Sequence, residues 1–440
     1  MRRLFFIVTL TAATLGVSAQ RKVTLDLNRT VALATDSSLT AEKYRSVLDT
    51  YRFSFLAWQA SRKPQITLDA TPLQYEQYMV QRYISDEDRD TYREQQMLYS
   101  EAAVGMTQDI EALGGTLYAS TGLGFLHTFG GDTNYDQFST VPIKVGYRQD
   151  LLGFNALKWS KRLEPLKLKK AEKAYAYNLE STAAEAVDLF FQLALAQDQL
   201  RMAEENLQTC DTIYAIGCRR FKIASISKAE LSILDLQRTN ATNTMENAKI
   251  LRDKASKQLA TFLGMERDTD IELIIPTNHS PVKVDAEEAL RYARENNPAF
   301  IETRQAVEEA RMEMEKAKVE RRLSLNIDAS IGLNQVADKF WDAYRSPLRQ
   351  EKAIVTLSVP LKDWGKRKNN YLQAQSRLST AEKELSEATR DTELDVVTSV
   401  DDYNKRHDLT ANSRKSLNIA QEAYDAMLTR FIKGQATVND

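Results

Sequence analysis

The chain repeats itself in two registers, neither of which needs a gap. VTLD at Val23–Asp26 returns as VKVD at Val282–Asp285, an offset of 259. The same offset carries Ala34 onto Ala293, Arg62 onto Arg321, and the run Ile66, Leu68, Asp69, Ala70 onto Leu325, Ile327, Asp328, Ala329. A second register, at 210, lays VGYRQDLLGFNALKWS (145–160) on VTLSVPLKDWGKRKNN (355–370). It holds through Ala171-Glu172-Lys173 on Ala381-Glu382-Lys383, Leu207 on Leu417, Tyr214 on Tyr424, and Arg220-Phe221 on Arg430-Phe431. Repetition on this scale decides architecture before local propensity does. The first structural repeat is expected over 20–281 and the second over 282–440. The offsets differ by 49, so the first copy carries an insert within about 71–141.

Each copy reads as helix, strand, strand, very long helix, turn, helix. The first helix is expected at about 28–62 and again at 285–320. From Asn155 to Arg220 the only Gly is Gly217, and Pro165 falls near the start, where a helix tolerates it best or kinks. Such a helix reaches ~100 Å at 1.5 Å per residue. Ala183, Val187, Phe190 and Ala194, then Leu200, Ala203, Leu207, Cys210 and Tyr214 past a polar break at Gln197, recur at the spacing of a helix-packing seam. In the insert, alternating runs over 102–127 flank Leu113-Gly114-Gly115, a hairpin signal. The polar, tyrosine-rich QYEQYMVQRYISDEDRDTYREQQ before it predicts a solvent loop.

The long helices end in related turns, RRFKIASISKAEL and TRFIKGQATVND. Ser227 stands three residues before Glu230, and Thr437 three before Asp440, the arrangement of a capping box that starts a new helix. The first copy's returning helix is expected from Lys228 to about Leu263, stopped by Gly264. The second copy reaches Asp440 before a returning helix forms. The expectation is a chain truncated from a longer protein, with an uncovered apolar seam on the helix 367–432.

Residues 1–19, MRRLFFIVTLTAATLGVSA, have the basic start, apolar run and small residues of a secretory signal peptide. No later segment is apolar enough for a membrane-spanning helix. The 59 basic residues balance 61 acidic ones, so charge gives no basis for nucleic-acid binding. Cys210 and Cys218 would lie ~12 Å apart on one helix, too far to pair. His127, His279 and His407 form no metal spacing, and the Gly clusters lack the setting of a phosphate site. Neither catalytic residues nor a metal or other cofactor is expected.

An exported chain without lipid-facing helices crosses a bilayer only as a closed β-barrel, because every backbone group must pair. Four to six strands are too few for one, so several chains would share it. Trp58, Tyr147, Trp159 and Trp364 cluster at the element joins, as membrane-interface aromatics do. The duplicated order, the junction SVPLKDWGKRKN with its weaker partner RQDLLGFNALKW, and the turns RFKIASISKAE and RFIKGQATVND resemble the TolC-type outer-membrane efflux channels over about 23–440. The insert with YREQQMLYS, ALGGT and NYDQFSTVPIKVGY is similar to the Bacteroidetes-type branch of that family.

The resemblance implies a mainly α fold with membrane β-strands: a homotrimer whose strands close one barrel in outer-membrane lipid and whose long helices form a periplasmic α-helical barrel. It implies a passive exit duct for a tripartite efflux pump or type I secretion, joined to a periplasmic adaptor and an inner-membrane transporter. By position it makes Arg220, Phe221, Ala224, Ser227, Arg430, Phe431, Gly434 and Thr437 candidates for adaptor docking. Plain N-capping explains Ser227 and Thr437 equally well. The family's tunnel-facing acid corresponds to Asp440, a carboxylate ring in a trimer, or else a helix-start acid; Ala436 departs from relatives that carry a gating Arg. The rival reading is a non-conducting exported coiled-coil strut or adhesin, which needs no strands between its helices.

Overall fold

A computed structural model describes residues 22–84, 88–129, 134–276, 282–433 and 435. The expected leader, 1–19, lies outside them. The first copy runs β1 (Lys22–Asp26), α1 (Leu27–Asp36), α2 (Leu39–Ser61), β2 (Gln65–Ile84), β3 (Arg89–Ile110), β4 (Gly115–Phe129), β5 (Tyr135–Asp150), α3 (Ala156–Lys222), α4 (Lys228–Phe262) and β6 (Asp270–Ile274). The second runs α5 (Ala286–Asn296), α6 (Pro298–Glu320), β7 (Ser324–Ala337), β8 (Leu348–Ser358) and α7 (Lys366–Ile432).

The two registers reappear as element boundaries. Helices α2 and α6, 23 residues each, stand 259 apart at both ends. Helices α3 and α7, 67 residues each, stand 210 apart at both ends. Asp26 and Asp285 do the same work: each accepts a hydrogen bond from the backbone N–H three residues on, at 2.7 Å from Arg29 and 3.1 Å from Glu288. A carboxylate there satisfies a donor that the first helical turn leaves unpaired.

Three expectations need correction. The single first helix of each copy is two. Ser38 accepts from the N–H of Ala41 at 3.1 Å and starts α2, while Asn297 accepts from Ala299 at 3.0 Å and starts α6. Pro298 also drives Asn297 out of the helical region. Over 74–84 and 89–96 the expected loop is strand: β2 and β3 pair from Gln74↔Tyr99 to Ile84↔Arg89. Beyond the end of β4, which stops opposite Gln96, this ribbon has two strands only, so both faces are solvated and apolar alternation disappears. Polar cross-strand pairs hold it instead, among them Gln77 to Glu94 and Gln81 to Asp90 at 2.9 Å. The third correction is the parallel β1–β6 pair, Lys22↔Asp270 to Asp26↔Ile274, which the expected element order lacks.

The described residues form two compact units. One takes those up to 46, 175–289 and from 397 on. Its core joins Leu25 and Ile271 of the parallel strands to Ala34 of α1, Ala186 and Leu193 of α3, and Leu259, Ala260 and Leu263 at the end of α4. Each leucine buried there stabilises the fold by about 2 kcal/mol. Gly264, at φ 73°, then ends α4 by letting Met265 N–H reach Ala260 O at 2.8 Å.

The other unit, 47–174 and 290–396, holds one antiparallel sheet in the order β2-β3-β4-β5-β7-β8. The inserted hairpin β3–β4 therefore lies within the sheet, between the first copy's own two strands.

Candidate functional site

The sheet separates polar from apolar residues row by row. Ile66, Met106, Ala119, Val145 and Ile331 stand side by side across five strands, and the row ends at Glu351 of β8. One residue along, on the opposite face, the row reads Gln65, Thr107, Tyr118, Gly146, Ser330, Lys352. The alternation continues with Leu117, Tyr147, Ala329 and Ala353, then Thr116, Arg148 and Asp328. One continuous face is apolar and the other polar, with exceptions such as Ile354 opposite Asp328.

A polar cluster orders the second face. The Tyr118 hydroxyl donates to Asp328 at 2.7 Å, and Arg148 Nε donates to its other oxygen at 3.2 Å. The Tyr118 ring covers Gly146, where an added Cβ would fall 2.3 Å from the ring. The strand glycine is therefore a seat for the ring.

A clasp ties the inserted hairpin to the start of α3. Asn155 accepts from Lys158 N–H at 3.0 Å, capping the helix, and its amide donates to Glu111 O at 3.0 Å. Gln149 donates to Leu113 O at 2.6 Å, and Glu111 pairs with Lys161 at 3.0 Å and with Arg62. Gly114 at φ 74° packs directly on Asn155. In the sequence Leu113-Gly114 stood out as a turn and Arg62 as a repeated position, but nothing joined them to Asn155; Glu111 and Asn155 are 44 residues apart and carry no local signal.

At the second junction β8 stops before Pro360 and the chain reverses through Trp364 and Gly365, at φ 55° and 88°. The Asp363 carboxylate accepts from Arg367 N–H at 3.1 Å and Gly365 N–H at 3.0 Å, which holds its pKa below the usual range. Of the expected interface aromatics, Tyr147 lies in the apolar rows with its hydroxyl on Gln149 at 2.9 Å. Trp159 is half-buried in the first turn of α3 under Arg162. Trp364 is 86% exposed, with Lys362 Nζ 3.9 Å from its ring centre.

The α3–α4 turn is built from the expected tip residues. Ser225 N–H donates to Arg220 O at 2.8 Å and Ala224 N–H to Phe221 O at 2.9 Å, the paired closure in which the residue after the helix turns left-handed. That residue is Ala224, at φ 56°. Ser227 and Glu230 form the full capping box: Glu230 N–H to Ser227 Oγ at 3.2 Å, and Ser227 N–H to the Glu230 carboxylate at 2.7 Å. Phe221 and Ile223 are exposed there. In the second copy Gln435 N–H repeats the closure on Arg430 O at 2.9 Å. Gly434, Thr437 and Asp440 lie outside the described residues, as does the side chain of Phe431.

No helix among the described residues is long and apolar enough to cross a membrane. The chain combines duplicated long helices with one two-faced antiparallel sheet. Residues 289–440 match the model of the outer membrane efflux protein family. The fold is that of a membrane protein from Pseudomonas aeruginosa (TM-score 0.65, 14% identity, 93% of this chain and 81% of that one). It is equally that of the Campylobacter jejuni CmeC outer membrane channel (TM-score 0.64, 12% identity, 94% and 78%). Among curated proteins, Protein CyaE of Bordetella pertussis is 23% identical over 230 residues, 52% of this chain and 48% of that protein, so the chain spans about half the length of that relative. Over residues 289–440 the chain therefore matches the outer membrane efflux protein family, and over nearly its whole length it shares the fold of solved outer-membrane channels.

Proposed function

We propose that this chain is the subunit of an outer-membrane exit duct, assembled as a homotrimer and joined in the periplasm to an adaptor protein and an inner-membrane transporter. The observation that carries the reading is the sheet: one face apolar and the other polar over adjacent rows, as a wall between lipid and water requires. The apolar rows face lipid, the Tyr118–Asp328–Arg148 face lines water, and Trp159 and Trp364 mark the headgroup level beside the helix joins. Transport is passive at this subunit, and cargo choice belongs to the inner-membrane partner.

The helix tips with Arg220, Phe221, Ala224 and Ser227, and Arg430, Phe431, Gly434 and Thr437 in the second copy, dock the adaptor. Exposed Phe221 and Ile223 supply apolar contact there. Asp440 from three copies forms a carboxylate ring that favours cations. The repeats at 20–281 and 282–440 each contribute one helix tip. Single-channel conductance of the purified protein in a planar bilayer tests the reading. Discrete ion-conducting steps are expected; a trimer that stays sealed with every adaptor tried favours a structural strut.

A further inference from the structure

The sheet has two outer strands, and their directions bear on how it closes, given the channel reading above. All five pairings are antiparallel, so β2 and β8 run opposite ways. The β2 of one copy therefore meets the β8 of another in the sense this sheet already uses. Both strands pair on one side only among the described residues, and they carry the barest aliphatic side chains of the sheet. Ile66 and Leu68 are 71% and 70% exposed, Val355 and Leu357 64% and 59%, while Leu117 and Ala119 in the middle are half-buried. Bare edges of this length call for a partner strand. A second copy offers one with matching direction and matching faces.

We infer that three copies join through β8–β2 seams into a ring of eighteen strands, six from each chain, with the inserted β3–β4 hairpin inside the wall. The hairpin lies between β2 and β5, so no path round the ring bypasses it. Strands ~4.8 Å apart, tilted about 40°, give such a ring a backbone diameter of about 36 Å. Four strands from each chain would give about 24 Å by the same geometry. The hairpin thus roughly doubles the cross-section at membrane level, which suits bulky hydrated cargo.

The test begins with Cys210→Ser and Cys218→Ser, and with particle size in detergent, which examines the trimer alone. On that background Thr356→Cys in β8 is combined in turn with Gln65→Cys, Thr67→Cys and Asp69→Cys in β2, all on the polar face. At least one pair is expected to convert the single-chain band on a denaturing gel into a covalent trimer. No crosslink from any pair in a preparation that is still trimeric overturns the seam. Separately, Ala119→Cys and Ser120→Cys in β4 are exposed in proteoliposomes to a membrane-impermeant maleimide. A hairpin within the wall reacts about tenfold faster at Ser120→Cys, because neighbouring residues face opposite sides. Equal rates with the trimer intact remove the hairpin from the wall and leave the channel reading standing, whereas loss of the trimer overturns that reading and the ring with it.

Discussion

Helices α3 and α7 are the same length and were laid down by the same repeat, yet their distal halves sit in different surroundings. In α3, Leu207 and Tyr214 are half-buried, α4 returns along the helix, and Arg238 of α4 covers the Tyr214 ring. Gly217 admits Leu234, whose methyl would lie 2.5 Å from any Cβ placed there. The matching positions of α7, Leu417 and Tyr424, are 65% and 51% exposed, and Met427 stands where α3 has its glycine. Identical residues at identical positions are thus covered in one copy and bare in the other. The seam is a property of the helix pair, and a glycine inside a 67-residue helix records where the partner comes closest.

That contrast can be broken most directly by removing a leucine from each side. Leu234→Ala, at a site 3% exposed, is expected to cost about 3 kcal/mol in denaturant unfolding. Leu417→Ala should cost less than about 0.5 kcal/mol. A comparable loss at Leu417 would mean that another chain covers α7.

A second difference concerns the segment before the first helix of each copy. β1 is held by five residue pairs with β6, whereas Val284 is held by one side chain. Asn404 accepts from its N–H at 3.1 Å and donates to its carbonyl at 3.0 Å, imitating a strand neighbour. Asn404→Ala should destabilise by about 1–2 kcal/mol and speed amide exchange at Val284.

The α3–α4 turn gives a smaller effect. Ser227→Ala should cost about 1 kcal/mol, read from thermal unfolding. Hydrogen bonds from Ser227 lower the Glu230 pKa, so the box stabilises the fold above the ordinary carboxylate range. That contribution fades as pH falls through the depressed value. Glu230→Gln should therefore flatten the acid limb of the stability profile, and an unchanged limb would show that the box does not titrate. Smallest is Ala224→Gly, which installs the second copy's residue at a left-handed position. A gain of about 0.5 kcal/mol is expected, because relief of steric strain outweighs the added unfolded-state freedom.

Much of this was legible because the chain carries its own alignment. The pairs Asp26/Asp285 and Ser227/Glu230, and the stop at Gly264, act through bonds spanning three to five residues, which a sequence displays directly. The breaks at Ser38 and Asn297 were equally local, and Asn297-Pro298 announces one of them. The ribbon beyond β4 was hidden for a physical reason: a two-stranded extension buries neither face, and the pairs that hold it, such as Gln81 and Asp90, come from different strands. The Glu111–Asn155 clasp was hidden by distance along the chain, and the polar face of the sheet became visible only when six strands were placed in register.

Because β3 and β4 enter together, every strand after them keeps its original direction. A single added strand would have turned β5 over and sent α3 out of the opposite end of the sheet. Growth of such a wall comes in whole hairpins: in the proposed trimer, one hairpin per chain becomes six strands per assembly. The 49 residues that separate the two offsets are one such step, present in one repeat and not the other, so the two copies differ in length while the alternation of strand direction is kept.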